Sequence, residues 1–336
     1  MKSKVLFLMF ALLFSFSAHA EDNALQEILK RGSIRCGTNL HTPGYAYIGK
    51  DKKWHGFDAD ICRVFSYAFF DDGESFELVD VPADQVEKAL QTNMIDVMLG
   101  NVPYSASRSA NKNIIPAGTL YFDRQEFLVK DPKEAKSMLD LVGSTVCVIE
   151  RSEESYHLEN YNRQYNLKLK PIRFSSLKKA KEAFWLNRCR MITGGEIYLK
   201  SMELQMKNSE TLLIPEDISS YPVYAYVKRT NPSLQNTISW ILNGLYLAEA
   251  YRIASDNVDL FKTSQNASIQ NLLGYEPRLW MKLNVHPKGF RSALKNVGNY
   301  AEIYDTNLGD DSELEIMRDE GALIDDDGFI VPIPFI

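Results

Sequence analysis

The chain has 336 residues, 45% of them apolar and 24% charged, with a formal net charge of -6. That length accommodates two domains of ordinary size, and the composition is globular rather than disordered. The acidic balance, without any basic and aromatic-rich stripe, argues against a nucleic-acid partner.

The first residues set the compartment. Lys2 and Lys4 precede an apolar run over 5–16, and Ser17-Ala-His-Ala20 ends in the small-x-small pattern of a cleavage site. These features predict a secretory signal peptide over 1–20, cleaved after Ala20, and a soluble, exported mature chain. The apolar run is shorter than the roughly 18 residues of a membrane span, so an uncleaved anchor is the weaker reading. Cys36, Cys62, Cys147 and Cys189 all fall in the exported part. Oxidation is permitted there, so two disulfides are expected, with three connectivities open from the sequence. No Cys pair or Cys/His cluster has zinc-ligand spacing, and neither a metal nor a cofactor is expected.

Along the mature chain, helical spacing over 24–30 ends at Gly32, and residues 33–38 read as a strand followed by a loop over 39–47. Asn39 and Tyr45 on that loop are candidate ligand contacts. Asp58 suits an N-cap, and Ile61, Val64, Phe65 and Ala68 mark the buried face of the helix it would start. A strand over 76–81, a helix over 83–91 and a short buried strand over 94–99 follow. Strand and helix in alternation at short intervals predict a mostly parallel α/β sheet with right-handed crossovers. The loop Gly100-Asn-Val-Pro-Tyr-Ser-Ala-Ser-Arg108 then leaves the end of a strand. Ligands of open α/β sheets sit outside those ends, and an arginine there can grip a carboxylate with two parallel hydrogen bonds. Arg108 is therefore the first candidate for ligand contact.

After a strand over 121–130, the alternation repeats on a smaller scale: strand 145–149, helix 153–161, strand 167–174, helix 177–187 and strand 190–193. A strand over 221–228 closes this second lobe. The expected organisation is lobe 1 over 21–129, lobe 2 over 130–222, and a return to lobe 1 over 223–336 with a helical extension. Crossings near Val129 and near Tyr224 would form a double linker suited to hinge closure. Amphipathic helices are expected over 236–251, entered through Asn231-Pro232, and over 290–304. The acidic then apolar end, 325–336, is expected to pack as an extended strap.

The chain resembles the periplasmic solute-binding proteins of amino-acid ABC transporters, and among them the general L-amino-acid-binding type. The resemblance covers nearly all of the mature chain. It is carried by Arg35-Cys-Gly37, Trp54-His-Gly-Phe-Asp-Ala-Asp-Ile-Cys62, Val146-Cys-Val148, Asn187-Arg-Cys189 and, most specifically, Val297-Gly-Asn-Tyr-Ala-Glu-Ile-Tyr-Asp-Thr-Asn-Leu-Gly309. It implies a two-lobed type II periplasmic binding-protein fold and one disulfide per lobe, Cys36 with Cys62 and Cys147 with Cys189. It also implies a monomer with no catalytic residues that serves an inner-membrane permease.

By the same resemblance, Arg108 corresponds to the arginine that binds the ligand's α-carboxylate. Asn101, Tyr104 and Ser105 accompany it, and Ser152, Thr193 and Glu196 would face it from lobe 2. The surroundings depart from the family's pattern. Pro103 stands where a hydroxyl residue is usual, and Ile149-Glu-Arg-Ser-Glu153 replaces Gln-Thr-Gly-Thr-Thr. Gly195 replaces the aspartate that pairs with the α-ammonium, and Asn39 replaces an acid of the first lobe. An ammonium buried without a paired carboxylate costs several kcal/mol. Glu196, Glu153 or Glu150 is the candidate substitute.

Two functions follow. One is delivery of an amino acid or related small carboxylate to an ABC permease by hinge closure. The other keeps the fold for a periplasmic partner or sensor without ordinary amino-acid binding. An enzyme on this fold would need a general acid or base in the cleft, for which His41 is the one histidine on a predicted cleft loop.

Overall fold

The computed structural model describes residues 23–82, 84–130, 135, 137–205 and 211–336. The signal-peptide reading over 1–20 lies outside the described residues. The chain begins with α1 (Ala24–Arg31), β1 (Ile34–Thr38), β2 (Tyr47–Ile48), β3 (Trp54–His55), α2 (Phe57–Phe70), β4 (Phe76–Asp80), α3 (Val86–Gln91), β5 (Val97–Met98) and α4 (Ala106–Ser109). The long strand β6 (Ile114–Lys130) then leads to β7 (Thr145–Ile149), α5 (Glu153–Gln164), β8 (Lys170–Phe174), α6 (Leu177–Trp185), β9 (Met191–Gly195) and α7 (Glu196–Gln205). A second long strand, β10 (Thr211–Lys228), returns the chain to α8 (Pro232–Ala250), α9 (Ala267–Leu272), α10 (Arg278–Lys282), α11 (Gly289–Asn296) and α12 (Tyr300–Asn307).

One eight-stranded sheet runs through the molecule in the order β4-β1-β5-β10-β6-β9-β7-β8. β1 lies parallel between β4 and β5, and β7 lies parallel between β8 and β9. β6 and β10 form the antiparallel pair in the middle, from Ile114 opposite Lys228 to Lys130 opposite Thr211. Their outer flanks serve different ends of the sheet: β5 meets β10 at Tyr226, whereas β9 meets β6 over Gln125 to Val129. The backbone that crosses between the two parallel units is thus one twisted ribbon around residues 119–125 and 219–224.

Both long strands start earlier in the chain than the strands expected over 121–130 and 221–228. Pro116 and Gly118 in β6, and Pro215 in β10, are residue types that strand interiors avoid. The ladder absorbs them at register shifts between Ala225 and Tyr226 and between Ile214 and Ser219 of β10, so a proline's missing N–H costs little.

Alternation along each strand separates the core into two faces. Val97 and Leu99 join the cluster under α2 and α8, while Met98 joins the one under α3 with Val86, Leu90 and Tyr226. In the other unit Phe127, Val129, Val146 and Val148 face α5, and Leu128, Cys147 and Ile192 face α6 and α7. Disulfides join Cys36 to Cys62 and Cys147 to Cys189, tying β1 to α2 and β7 to the turn before β9.

Asp58 does not cap α2. The N-cap is Gly56, and Asp58 sits in the first turn, fully buried. The helix expected over 290–304 is two helices, because Gly298 adopts a φ of +113°, a conformation that L side chains rarely adopt, and Asn299 opens α12 with a capping box to Glu302. The C-terminal strap is pinned by Phe335, whose ring stacks on Trp280 at 4.4 Å and whose amide donates to Ser268 Oγ at 3.1 Å. No helix among the described residues is long and apolar enough to cross a membrane.

Candidate functional site

Three chain segments of the first unit converge where its parallel strands end. Asp58, in the first turn of α2, accepts the hydroxyl of Thr38 from the end of β1 and faces the Gly100 amide after β5. Burial raises its carboxyl to about 7, and the two hydrogen bonds offset only part of that rise. The result holds Asn39 and Asn101, one residue beyond each of these contacts, at the mouth of the sheet. Asn101 Oδ1 is buried with no hydrogen-bond partner.

From there the chain makes the single turn α4, capped by Ser105, whose Oγ accepts the Arg108 amide at 3.4 Å. This turn presents Arg108 towards the second unit, where Glu153 Oε1 lies 3.8 Å from its Nε. Tyr104 stacks on Tyr224 with ring centroids 4.7 Å apart and its hydroxyl donates to Ser109. Ser105 and Tyr104 therefore shape the turn that carries Arg108.

On the facing side, Ser152 caps α5: its Oγ accepts the Ser155 amide at 3.1 Å and donates to the Ile149 carbonyl at 3.0 Å. Thr193 is buried, donating to the Glu126 carbonyl at 2.8 Å and accepting Gln125 Nε2 at 2.9 Å. Glu196, at the start of α7, pairs with Arg124 at 3.3 Å, and the same guanidinium reaches Asp319 at 2.7 Å. These three side chains are engaged with the second unit and the crossing strand. His41 lies in a loop beside Trp54, with ring centroids 6.3 Å apart.

Sequence reasoning named Tyr45 and Asn101 among the residues that fill the middle and passed over Tyr121, Asp123 and Tyr221. Tyr45 was expected on a cleft loop and is fully buried. Its hydroxyl lies among Tyr121, Tyr221 and Asp123; Tyr45 and Tyr121 neighbour each other and Tyr221 neighbours Asn101, but none of the three hydroxyls makes a well-formed hydrogen bond within the protein. Burial raises all three phenols, and the Asp123 charge adds to the rise in each. Asp123 itself is buried and raised to about 7, first by burial and then by the charge of Glu196, against the amides of Arg124, Ile197 and Glu196. Glu126, three residues on, is raised to about 8 by burial and by Glu196. The signal for this centre was present in the sequence: Asp123-Arg-Gln-Glu126 places four polar residues in a row inside a strand whose neighbours are apolar.

The second unit also reaches across. Ile197 of α7 packs in the first unit's core beside Gly44 and Leu314, so the two units are closed on each other. Buried unpartnered polar atoms are expensive. Their concentration between the two units, at the ribbon that joins them, marks the place where a polar ligand would complete the set.

A second concavity, of about 420 Å³, opens on α5 and is lined by Glu150, Arg151, Ser152, Tyr156 and Arg173. Its charges are mixed.

Residues 34–256 match the bacterial extracellular solute-binding proteins, family 3. The general L-amino acid-binding periplasmic protein of Rhizobium johnstonii is 30% identical over 316 residues, 93% of each chain. A glutamate/glutamine/aspartate/asparagine-binding protein of Rhodobacter capsulatus is 24% identical across the whole of both chains. Among solved structures, a periplasmic binding protein from Brucella ovis with glutathione bound superposes with a TM-score of 0.87 at 29% identity, covering 93% of this chain and 99% of that one.

Proposed function

The chain belongs to the family 3 bacterial extracellular solute-binding proteins, and from that premise we propose that it binds an amino acid or related small carboxylate in the periplasm. Its two lobes, in the type II binding-protein arrangement, close over the ligand about the β6–β10 ribbon and deliver it to an inner-membrane ABC permease. The observation that carries this reading is the set of buried, unpartnered polar atoms between the lobes, from Tyr45, Asn101, Tyr121, Asp123 and Tyr221. Such atoms raise the free energy of the closed state until a polar ligand meets them, so the ligand drives closure.

Arg108 is the carboxylate anchor in this reading. Its Nε is buried without a hydrogen bond, and an acid, Glu153, already faces it from the other lobe. A ligand carboxylate exchanges with Glu153 for the guanidinium. Asn101 and Asn39 lie on the same rim, while Ser105, Ser152 and Thr193 hold the backbone that frames it.

A relative named as a general L-amino acid-binding periplasmic protein supports ligand delivery over a sensor role. The mature chain begins at Glu21 and acts as a monomer in this proposal, to be checked by N-terminal sequencing of the exported protein and by light scattering.

The test is calorimetry with purified protein against L-glutamate, L-glutamine, L-arginine, glutathione and glutarate. Saturable binding by at least one, weakened on the order of 100-fold in Arg108→Ala, is the expected result. Silence from all five, or unchanged affinity in Arg108→Ala, refutes it.

A further inference from the structure

Arg108 accounts for one end of a ligand, and the other end is decided by the atoms around Asp123. This residue is 3% exposed, its Oδ1 accepts the Arg124 amide at 2.9 Å, and the amides of Glu196 and Ile197 face the carboxylate, while no side chain donates to Oδ2. An ionised carboxylate oxygen only accepts. Asn101 Oδ1, also unpartnered, only accepts as well, and the hydroxyls of Tyr45, Tyr121 and Tyr221 accept as readily as they donate. Arg124 does not answer these acceptors, because its guanidinium is committed to Glu196 and Asp319. The group that satisfies several acceptors from one point, and brings the opposite charge, is a primary ammonium with its three donors.

The backbone opposite makes room for this arrangement. A Cβ on Gly195 would stand 2.1 Å from Asp123 Oδ2 and 3.0 Å from Asn101 Nδ2. No side chain fits at position 195 while Asp123 keeps this position. The Asp123 carboxylate fills the space that a residue-195 side chain would otherwise take, at the start of α7, where the Glu196 and Ile197 amides face it. The missing acid at 195 and the buried acid at 123 are thus one feature of the site.

From this geometry we infer that Asp123 receives the ammonium group of the ligand, in place of a side chain at position 195. The inference rests on the reading of the cleft as the site of an amino acid or amino-bearing carboxylate, and it adds the specificity. A deaminated acid of the same shape leaves the buried Asp123 carboxylate without a counter-ion, so the site discriminates for the amino group rather than for the carboxylate alone. Charged groups that also act at this point are Glu196, Glu126 and Arg124, with Asp58 and Glu154 acting on the surrounding tyrosines. Asp58 and Glu126 also carry a buried oxygen without a partner, but among these acids Asp123 is the one whose charge acts on all three tyrosines and whose carboxylate stands against Gly195.

The experiment titrates L-glutamate, L-glutamine and glutathione, with glutarate as the deaminated control, into the wild type, Asp123→Ala, and Asp123→Ala combined with Gly195→Asp. The expected result is binding of an amino compound by the wild type, a loss on the order of 100-fold in Asp123→Ala, and recovery of about tenfold or more when the carboxylate is moved to position 195. Glutarate affinity does not fall in Asp123→Ala, since no favourable contact to it is lost and a buried carboxylate that it leaves unpaired is removed. Asp123→Asn, which keeps the shape, is read in the same way if Asp123→Ala does not melt cooperatively. An amino compound bound equally by the wild type and by the Asp123 variants overturns the inference and leaves the carboxylate site standing. So does a wild type that binds glutarate alone. A wild type that binds none of the four overturns the amino-acid reading itself, and the inference with it.

Discussion

Replacing Asp58 by asparagine isolates the cost of a buried charge at the point where three segments of the first lobe meet. In the folded chain its carboxyl keeps the proton up to about 7, against 3.8 for the free side chain. Between those values the folded state binds more protons than the unfolded one, so the contribution of Asp58 to stability falls as pH rises from about 4 to about 7 and stays lowered above. The gap corresponds to about 4 kcal/mol. The amide that replaces the carboxyl in Asp58→Asn does not titrate, and its oxygen still accepts from Thr38. Urea unfolding with the disulfides intact, at about pH 4 and about pH 8, should therefore show Asp58→Asn gaining about 2 to 4 kcal/mol on the wild type between the two conditions. Asp123 and Glu126, which are raised in the same sense, titrate in both proteins and cancel from the difference. A stability difference that does not move with pH would refute the assignment of Asp58 as a buried acid held above its ordinary range.

Arg108→Ala should change the stability of the ligand-free protein by less than about 1 kcal/mol, because its pair with Glu153 at 3.8 Å is partly solvated, while ligand affinity falls steeply. Glu153→Gln removes the competing acid and should tighten binding of a carboxylate several-fold by calorimetry; weaker binding would place Glu153 among the ligand's partners instead. Removing the Cys147–Cys189 bridge by a double change to alanine opens a loop of 42 residues and should cost about 3 to 4 kcal/mol in denaturant unfolding. Phe335→Ala strips the stacked ring from Trp280 and should cost about 3 kcal/mol, with faster proteolysis of the strap as an independent readout.

The alternation of short strands and helices was legible because both periods are written locally, and the strand expected over 145–149 is found at Thr145–Ile149. The early halves of β6 and β10 were not. Pro116, Gly118 and Pro215 are residue types that strand interiors avoid, and only the partner strand shows that bulges carry them. Asp58 looked like a cap, because a carboxylate before an apolar helical run is the usual signal for one. The chain turns at Gly56 two residues earlier, and that shift buries the acid.

For the site, the residue types that bind an anion could be placed on the loop after a strand, and the structure puts Arg108 between the lobes opposite Glu153. Thr193 and Glu196 turned out to be committed to the crossing ribbon through Gln125, Glu126 and Arg124. The sequence by itself determined the two alternating units, because both periods depend on neighbours along the chain, and the absence of a side chain at position 195. Which acid stands in that space was decided by the tertiary structure alone. Asp123 lies far before Gly195 in the chain and meets it because β6 pairs with β9, Gln125 opposite Gly195. A hydrogen-bond register between distant strands leaves no periodic trace in either one.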